Sequence, residues 1–210
     1  MSSIVFNSGK GSKFDWENDT ITHMLVDENY IADPDDNTVS DPVADEIAGT
    51  GYSRKTIANP TETEDAGNDK VVFDADNPVW TGANFTSYVK GCVTYKNNTN
   101  DADHRLLVYN EFASGAIVAV NTGSDIFSIS GDLSTEFEAG DKIVVNGSTG
   151  NDGIYTVTNV AFNSPNTDIT VSEDVTNATA DGTLTLVIET NGGNFTFTFP
   201  TGGLFETVAA

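Results

Sequence analysis

The chain has 210 residues, 38% of them apolar, and carries 32 acidic against 9 basic side chains, for a net charge of −23. That length buries a core without staples and accommodates one large β domain or two small ones. The charge excludes a nucleic-acid backbone and an anionic membrane surface as partners, because both repel it.

Residues 1–13 are polar and read as an N-terminal arm; Ser8-Gly9-Lys10-Gly11-Ser12 holds a Gly-Lys pair but not the spacing of a phosphate loop. The first ten residues contain no apolar signal region, and no apolar run approaches the ~18 residues of a membrane span, so synthesis in a host cytoplasm is expected. Residues 20–26 (TITHMLV) alternate, with Ile21, His23 and Leu25 on one face and Thr20, Thr22, Met24 and Val26 on the other. A single helix is expected at 42–47, with Asp41 as its cap, Pro42 in its first turn and Gly49 at its end. Strands are expected at 54–57, 70–74, 85–95, 105–112, 116–121, 126–130, 142–146, 153–161, 168–171, 183–189 and 195–199, separated by Asn, Asp, Gly, Ser and Thr. So many short strands with so little helix predict an all-β fold.

Composition changes along the chain. Trp16, Trp80 and every tyrosine except Tyr155 precede residue 116. Residues 116–186 are lighter and have their own turn signals at 139–141, Asn146-Gly147 and Asn151-Asp152-Gly153. The expected organisation is therefore an arm (1–13), a β-sandwich or jelly-roll-like domain (14–115 plus 187–210), and a small β-barrel-like module (116–186) inserted into it.

Few residues suggest chemistry. Asp33, Asp35, Asn37 and Asp41 stand at positions 1, 3, 5 and 9 of an acidic segment, as in the start of a calcium loop. Thr38 occupies the place of the turn glycine and Ala44 that of the bidentate glutamate, so the segment is not an EF-hand. A plain acidic surface loop is the simpler reading, with Ca2+ the one cofactor the sequence suggests. Asp74, Asp76 and Asn77 form a weaker acidic cluster. Two histidines and one cysteine, dispersed along the chain, do not make a zinc site. His23, amid apolar residues, reads as a core or edge histidine, His104 in the loop NNTNDADHR as solvated, and Cys92 as a small core hydrophobe. There is no GxSxG elbow. An enzyme is not expected; paired carboxylates of a carbohydrate-active enzyme remain an alternative in so acidic a β chain, with no pair singled out by spacing.

Residues 45–80, DEIAGTGYSRKTIANPTETEDAGNDKVVFDADNPVW, resemble a group of small tailed-phage virion proteins with an E-I/V-x-G-T-G-Y segment, an A-N-K/P-T-x-T-E-D stretch and an N-D-R/K-x-x-F-D-A-D-D/N-x-x-W stretch. Here these are Glu46 to Tyr52, Ala58 to Asp65, and Asn68 to Trp80. Asp19-Thr20-Ile21, Val93-x-Tyr95-Lys96, Leu107-x-Tyr109 and the closing Asn191-Gly192-Gly193-Asn194-Phe195-Thr196 follow the same pattern, so the likeness covers about 14–114 and 186–205. It implies a non-enzymatic structural component of the virion, a cement or decoration protein on the capsid surface that bridges capsomers. Its partners would be the major capsid protein or another virion protein and further copies of itself, a trimer for instance. The family supplies no catalytic residue. Phe6, Phe14 and Trp16 are candidates for contacts with a neighbouring subunit, with packing inside their own domain the other reading. The insert is similar to small β units of phage tail and fibre proteins, which implies as an alternative an adhesin whose module binds a host glycan.

Overall fold

ITHMLV, VKGCVTY and RLLVYN are apolar at most positions, a pattern that suits strands covered on both faces. The computed structural model describes residues 2–7, 9, 15–68, 70–199, 203 and 205–208. Its strands are, in chain order, β1 (Ser2–Val5), β2 (Ile21–Asp27), β3 (Gly49–Thr50), β4 (Lys55–Thr56), β5 (Thr61–Asp65), β6 (Lys70–Asp74), β7 (Val79–Phe85), β8 (Val89–Lys96) and β9 (Arg105–Glu111). They continue with β10 (Ser114–Asn121), β11 (Ile126–Ser130), β12 (Lys142–Asn146), β13 (Gly153–Asn163), β14 (Asn166–Val171), β15 (Thr183–Val187), β16 (Gly193–Thr196) and β17 (Phe205–Val208). The fold is all-β, and the expected helix is a single 3-10 turn, Pro42–Asp45. Asp41 does not cap that turn: its carboxylate points back to accept the amides of Asn37 (2.8 Å) and Thr38 (3.0 Å).

Contacts divide the chain into two units, Ser3–Asn110 with Thr190–Ala210, and Glu111–Glu189. Composition placed these boundaries at 115/116 and 186/187. They lie farther out because Ser114, Gly115 and Ala116 already pair with Thr185, Leu184 and Thr183.

In the first unit the strands form a five-stranded sheet, β1-β9-β8-β2-β4, and two three-stranded sheets, β16-β7-β3 and β17-β6-β5. β2 pairs antiparallel with β8 from Ile21↔Lys96 to Asp27↔Val89. The alternation read in β2 is real, but both of its faces are buried. Met24 and Val26 join Phe6, Tyr30, Val39, Val93, Tyr95, Leu106 and Tyr109 in one cluster. His23, Leu25, Cys92 and Thr94 are also fully buried. The expected free arm is corrected where it is described: β1 is an edge strand beside β9, and the Phe6 amide bonds the Leu107 carbonyl at 3.1 Å. The expected strand 85–95 is β8, and Phe85 instead ends β7, an unexpected strand on another sheet.

The second unit is a closed antiparallel barrel in the order β10-β11-β14-β13-β12-β15, with β15 returning to β10. Its filling follows the two-residue period of a strand: Phe127 and Ile129, Ile143 and Val145, Tyr155 and Val157, Ile169 and Val171 all point into one core, joined by Phe137 and Val175 from the loops. Register shifts at Ile117/Ala119 and Val157/Asn159 supply the local bends that closure needs.

The segment Gly49-Thr50-Gly51 shows why glycine is required there. Gly51 has φ +80, and a Cβ on it would lie 2.7 Å from the backbone oxygens of Thr81 and Gly82. Gly82 has φ +64 but open space around it. Gly82→Ala is therefore expected to cost about 1 kcal/mol, the conformational cost alone. Gly51→Ala, which adds a collision with backbone, should cost about 3 kcal/mol or more; urea-denaturation midpoints of the two variants check the ranking.

Candidate functional site

The first unit holds two concentrations of polar side chains inside its fold. One is built around Arg54. The 3-10 turn ends at Glu46, whose backbone bridges to Val26 at the end of β2. The glycine turn then returns Tyr52, which donates its hydroxyl proton to Glu46 Oε1 (2.7 Å) and accepts the Leu25 amide (3.2 Å). Arg54 donates Nε and Nη2 to Glu46 (2.8 and 2.6 Å) and Nη1 and Nη2 to Asp101 (2.6 and 3.1 Å). Its guanidinium lies 5.8 Å from the centre of the Tyr95 ring, on which His104 stacks at 5.3 Å.

This cluster ties the 97–104 loop and the 46–54 segment to the central sheet. Its protons are committed. Hydrogen bonds donated to Glu46 and then to Asp101 push the Arg54 pKa up, burial and then Glu46 push Tyr52 up, and the hydrogen bond from Arg54 draws Asp101 down. These shifts hold each group in its ordinary charge state near neutrality, which suits a fastening and not a proton-transfer site. His104 was expected in solvent. Its side chain is only 13% exposed, because the Asn98 amide donates to its Nδ1 (2.7 Å) and Tyr95 covers its face.

The other concentration is a pocket of about 240 Å³ with His23 in its wall. His23 on β2 stands between Thr94 of β8 and Lys55 of β4 in the strand register. Its Nδ1 is 2.9 Å from Thr94 Oγ1, and its ring lies 5.1 Å from that of Phe199. Its Nε2, closed to solvent, has no hydrogen-bond partner among the described residues. Ile57, Pro78 and Val79 supply apolar lining, and Asp76 lies alongside. The rim is braced: the Asp76 amide bonds the Ala58 carbonyl (2.9 Å), Asn59 Nδ2 bonds Asp76 Oδ2 (2.6 Å), and Asn77 Oδ1 accepts the Phe199 amide (2.9 Å). Burial pushes the His23 pKa down from 6.5 to about 3, so the ring is neutral near pH 7.

The calcium candidates are not brought together. Asp33 accepts the Asp35 amide (2.9 Å), Asp35 accepts Asn7 Nδ2 (2.7 Å), Asn37 donates to the Asp35 carbonyl (2.7 Å), and Asp41 caps Asn37 and Thr38 as described. Asp33, Asn37 and Asp41 thus serve their own turn, and Asp35 holds the Asn7 side chain. Among the described residues no group of three or more His, Cys, Asp or Glu is placed to hold a metal ion. The second acidic cluster is likewise dispersed: Asp74 Oδ1 accepts the Ala75 amide, while Asp76 and Asn77 brace the pocket. Of the candidate interface residues, Phe6 and Trp16 are fully enclosed. Trp16 donates Nε1 to the Asp74 carbonyl (3.0 Å) and packs edge-on to Phe73 at 5.7 Å. Their own unit therefore takes the surface that a neighbouring subunit would have used. Phe14 lies outside the described residues.

Neither concentration was legible as a site beforehand. His23 is the buried histidine expected, but its place beside residues 55 and 76–79 depends on a register that links them. The Arg54 cluster had a partial signal, since Glu46 and Tyr52 belong to the one motif that stands out in the sequence. No protein family, no curated protein and no solved structure matches this chain.

Two outcomes follow from the geometry. Arg54→Met leaves two carboxylates facing each other and should cost about 2 kcal/mol, less than a fully buried pair because Arg54 and Asp101 are 24% and 38% exposed. Restoration of part of that loss in Arg54→Met/Asp101→Asn, read by urea unfolding, checks the cause. For His23 the folded pKa lies below the unfolded one, so the unfolded chain binds the extra proton and stability falls as pH drops from 6.5 toward 3. Against His23→Gln, the wild-type advantage should shrink by about 1.6 kcal/mol between pH 6.5 and 5, the slope rising toward about 1.4 kcal/mol per pH unit as the unfolded histidine becomes fully protonated.

Proposed function

We propose that this chain is a structural protein of a tailed-phage particle that acts by binding and not by catalysis, with the capsid surface as its place and cementing of neighbouring capsomers as its role. The observation that carries the reading is the use made of the motif residues. Gly49 and Gly51 let the turn approach the backbone of β7, Glu46, Tyr52 and Arg54 fasten that turn to the sheet, and Phe73 and Trp80 are buried. A motif whose residues shape and fasten a fold is what a family of structural proteins holds in common. A protein family held by a shared active site would instead align reactive groups.

Cementing needs only a surface that buries enough area across subunits. Stable interfaces take about 1,200–2,000 Å², and bivalent or trivalent attachment multiplies a modest contact through effective concentration. The major capsid protein is the partner on this reading, with a homo-oligomer bridging several capsomers. The net charge of −23 keeps such a protein soluble before assembly.

A second reading, a tail or fibre adhesin, draws on the barrel. Its entry strand β10 and exit strand β15 pair directly, so the module joins the chain at one strand pair. Such an insert is suited to presenting loops, and a host glycan is the ligand on that reading.

Gold-labelled antibody against the chain, viewed on intact particles by electron microscopy, separates these. Regular label over the heads is expected. Label confined to the tail tip would overturn the capsid reading in favour of the adhesin, and unlabelled particles would overturn both.

A further inference from the structure

The 97–104 loop is held in part by a hydrogen bond that only a neutral histidine can accept. The Asn98 amide donates to His104 Nδ1 at 2.7 Å. A backbone N–H offers a proton and no lone pair, so Nδ1 is the unprotonated nitrogen and the neutral ring carries its proton on Nε2. Nε2 lies 3.7 Å from Asp101 Oδ1. The ring stacks on Tyr95 at 5.3 Å and the side chain is 13% exposed, enclosed enough to be held and open enough for a proton to reach it from water.

A proton on Nδ1 reverses that contact. An imidazolium has two N–H groups and no acceptor, so the Asn98 amide would face a donor and lose its bond. At the other edge of the ring, Nε2–H would become part of a cation beside Asp101, whose carboxylate already accepts Arg54 Nη1 (2.6 Å) and Nη2 (3.1 Å). The remaining charged groups around the ring are engaged or adjacent in the chain. Glu46 is bonded to Arg54, Asp103 accepts Asn100 Nδ2 (2.9 Å), and Arg105 follows His104 directly. The 38–40 segment meets the loop through backbone: the Val39 amide bonds the His104 carbonyl (3.1 Å) and the Ser40 amide the Asp101 carbonyl (3.2 Å). We propose that the 97–104 loop is a proton-operated latch: neutral His104 holds Asn98 and leaves Asp101 to Arg54, and protonated His104 releases Asn98 and turns to Asp101. Histidine ordinarily changes charge between about pH 5 and 8, which makes mild acid the trigger. Opening makes Arg54 share one of the two carboxylates that fasten it. The latch requires nothing of the virion reading.

The test is amide hydrogen exchange by NMR on the full chain at pH 7 and pH 5, each rate expressed as a protection factor so that the pH dependence of the exchange chemistry cancels. Protection of the Asn98 amide is expected to fall about fivefold at pH 5, the worth of one hydrogen bond. The Gly140 amide, bonded to the Val157 carbonyl in the barrel (2.8 Å), should keep its protection. His104→Asn places a carboxamide oxygen near the position of Nδ1 at every pH and should abolish the change at Asn98. Long-range nitrogen–proton NMR with 15N-labelled histidine gives a check that needs no variant: at pH 7 the His104 ring is expected to carry its proton on Nε2, and the Asn98 amide resonance is expected to titrate with the same midpoint as the ring. A ring protonated on Nδ1, equal Asn98 protection at both pH values, separate midpoints, or a fall that persists in His104→Asn would overturn the proposal.

Discussion

Burial of β2, β8 and β9 on both faces is the constraint on which the first unit depends. A strand layer without a solvent face has nowhere to send a polar side chain, so each one inside it either finds a partner or bears the cost of burial, as Thr22 Oγ1 and the Asn110 side-chain amide do among the described residues. Lys90, 5% exposed, reaches the Tyr30 carbonyl at 2.8 Å. Tyr52 brings its hydroxyl to the Leu25 amide, and Thr94 meets His23. The covering segments are fastened in turn by Arg54, which joins two of them through Glu46 and Asp101. That this fastening uses arginine follows from geometry: one planar guanidinium reaches both carboxylates through parallel donors, which a lysine ammonium cannot match.

The barrel solves a different problem. Six short strands with one apolar face each would expose two edges as an open sheet, and an exposed edge invites pairing with other chains. Closure of β15 onto β10 removes both edges and needs side chains only on one face. The contrast explains the two compositions. The cluster on the two-faced sheet holds the large aromatics Phe6, Tyr30, Tyr95 and Tyr109, whereas the barrel is filled mainly by Val, Ile and Leu with Phe127, Phe137 and Tyr155.

The acidic composition has a local use as well as a surface one. Asp27, Asp132, Asp141, Asp152 and Asp181 each accept a backbone amide in or between loops. A chain of many short strands has many turns, and aspartate satisfies the amides that a turn leaves open. The same habit runs through the 33–41 segment, where Asp33 and Asp41 accept amides of their own turn.

The sequence by itself determined the all-β class, most of the strands, and the presence of a separate module between two stretches of the other domain. Those features are local: period-two alternation, turn residues and composition are carried by neighbours in the chain. Val79–Phe85 and Thr61–Asp65 were missed, because Trp-Thr-Gly-Ala-Asn and Thr-Glu-Thr-Glu-Asp carry little alternation of their own and become strands only through their pairing partners. Tertiary structure alone decided which faces are buried, that Phe6 and Trp16 lie inside, that Arg54 meets Asp101, and that His23, Lys55 and Asp76 share a pocket. The reason is sequence separation: such contacts join residues tens of positions apart, and their register is set by the packing of whole sheets and not by any residue's neighbours in the chain.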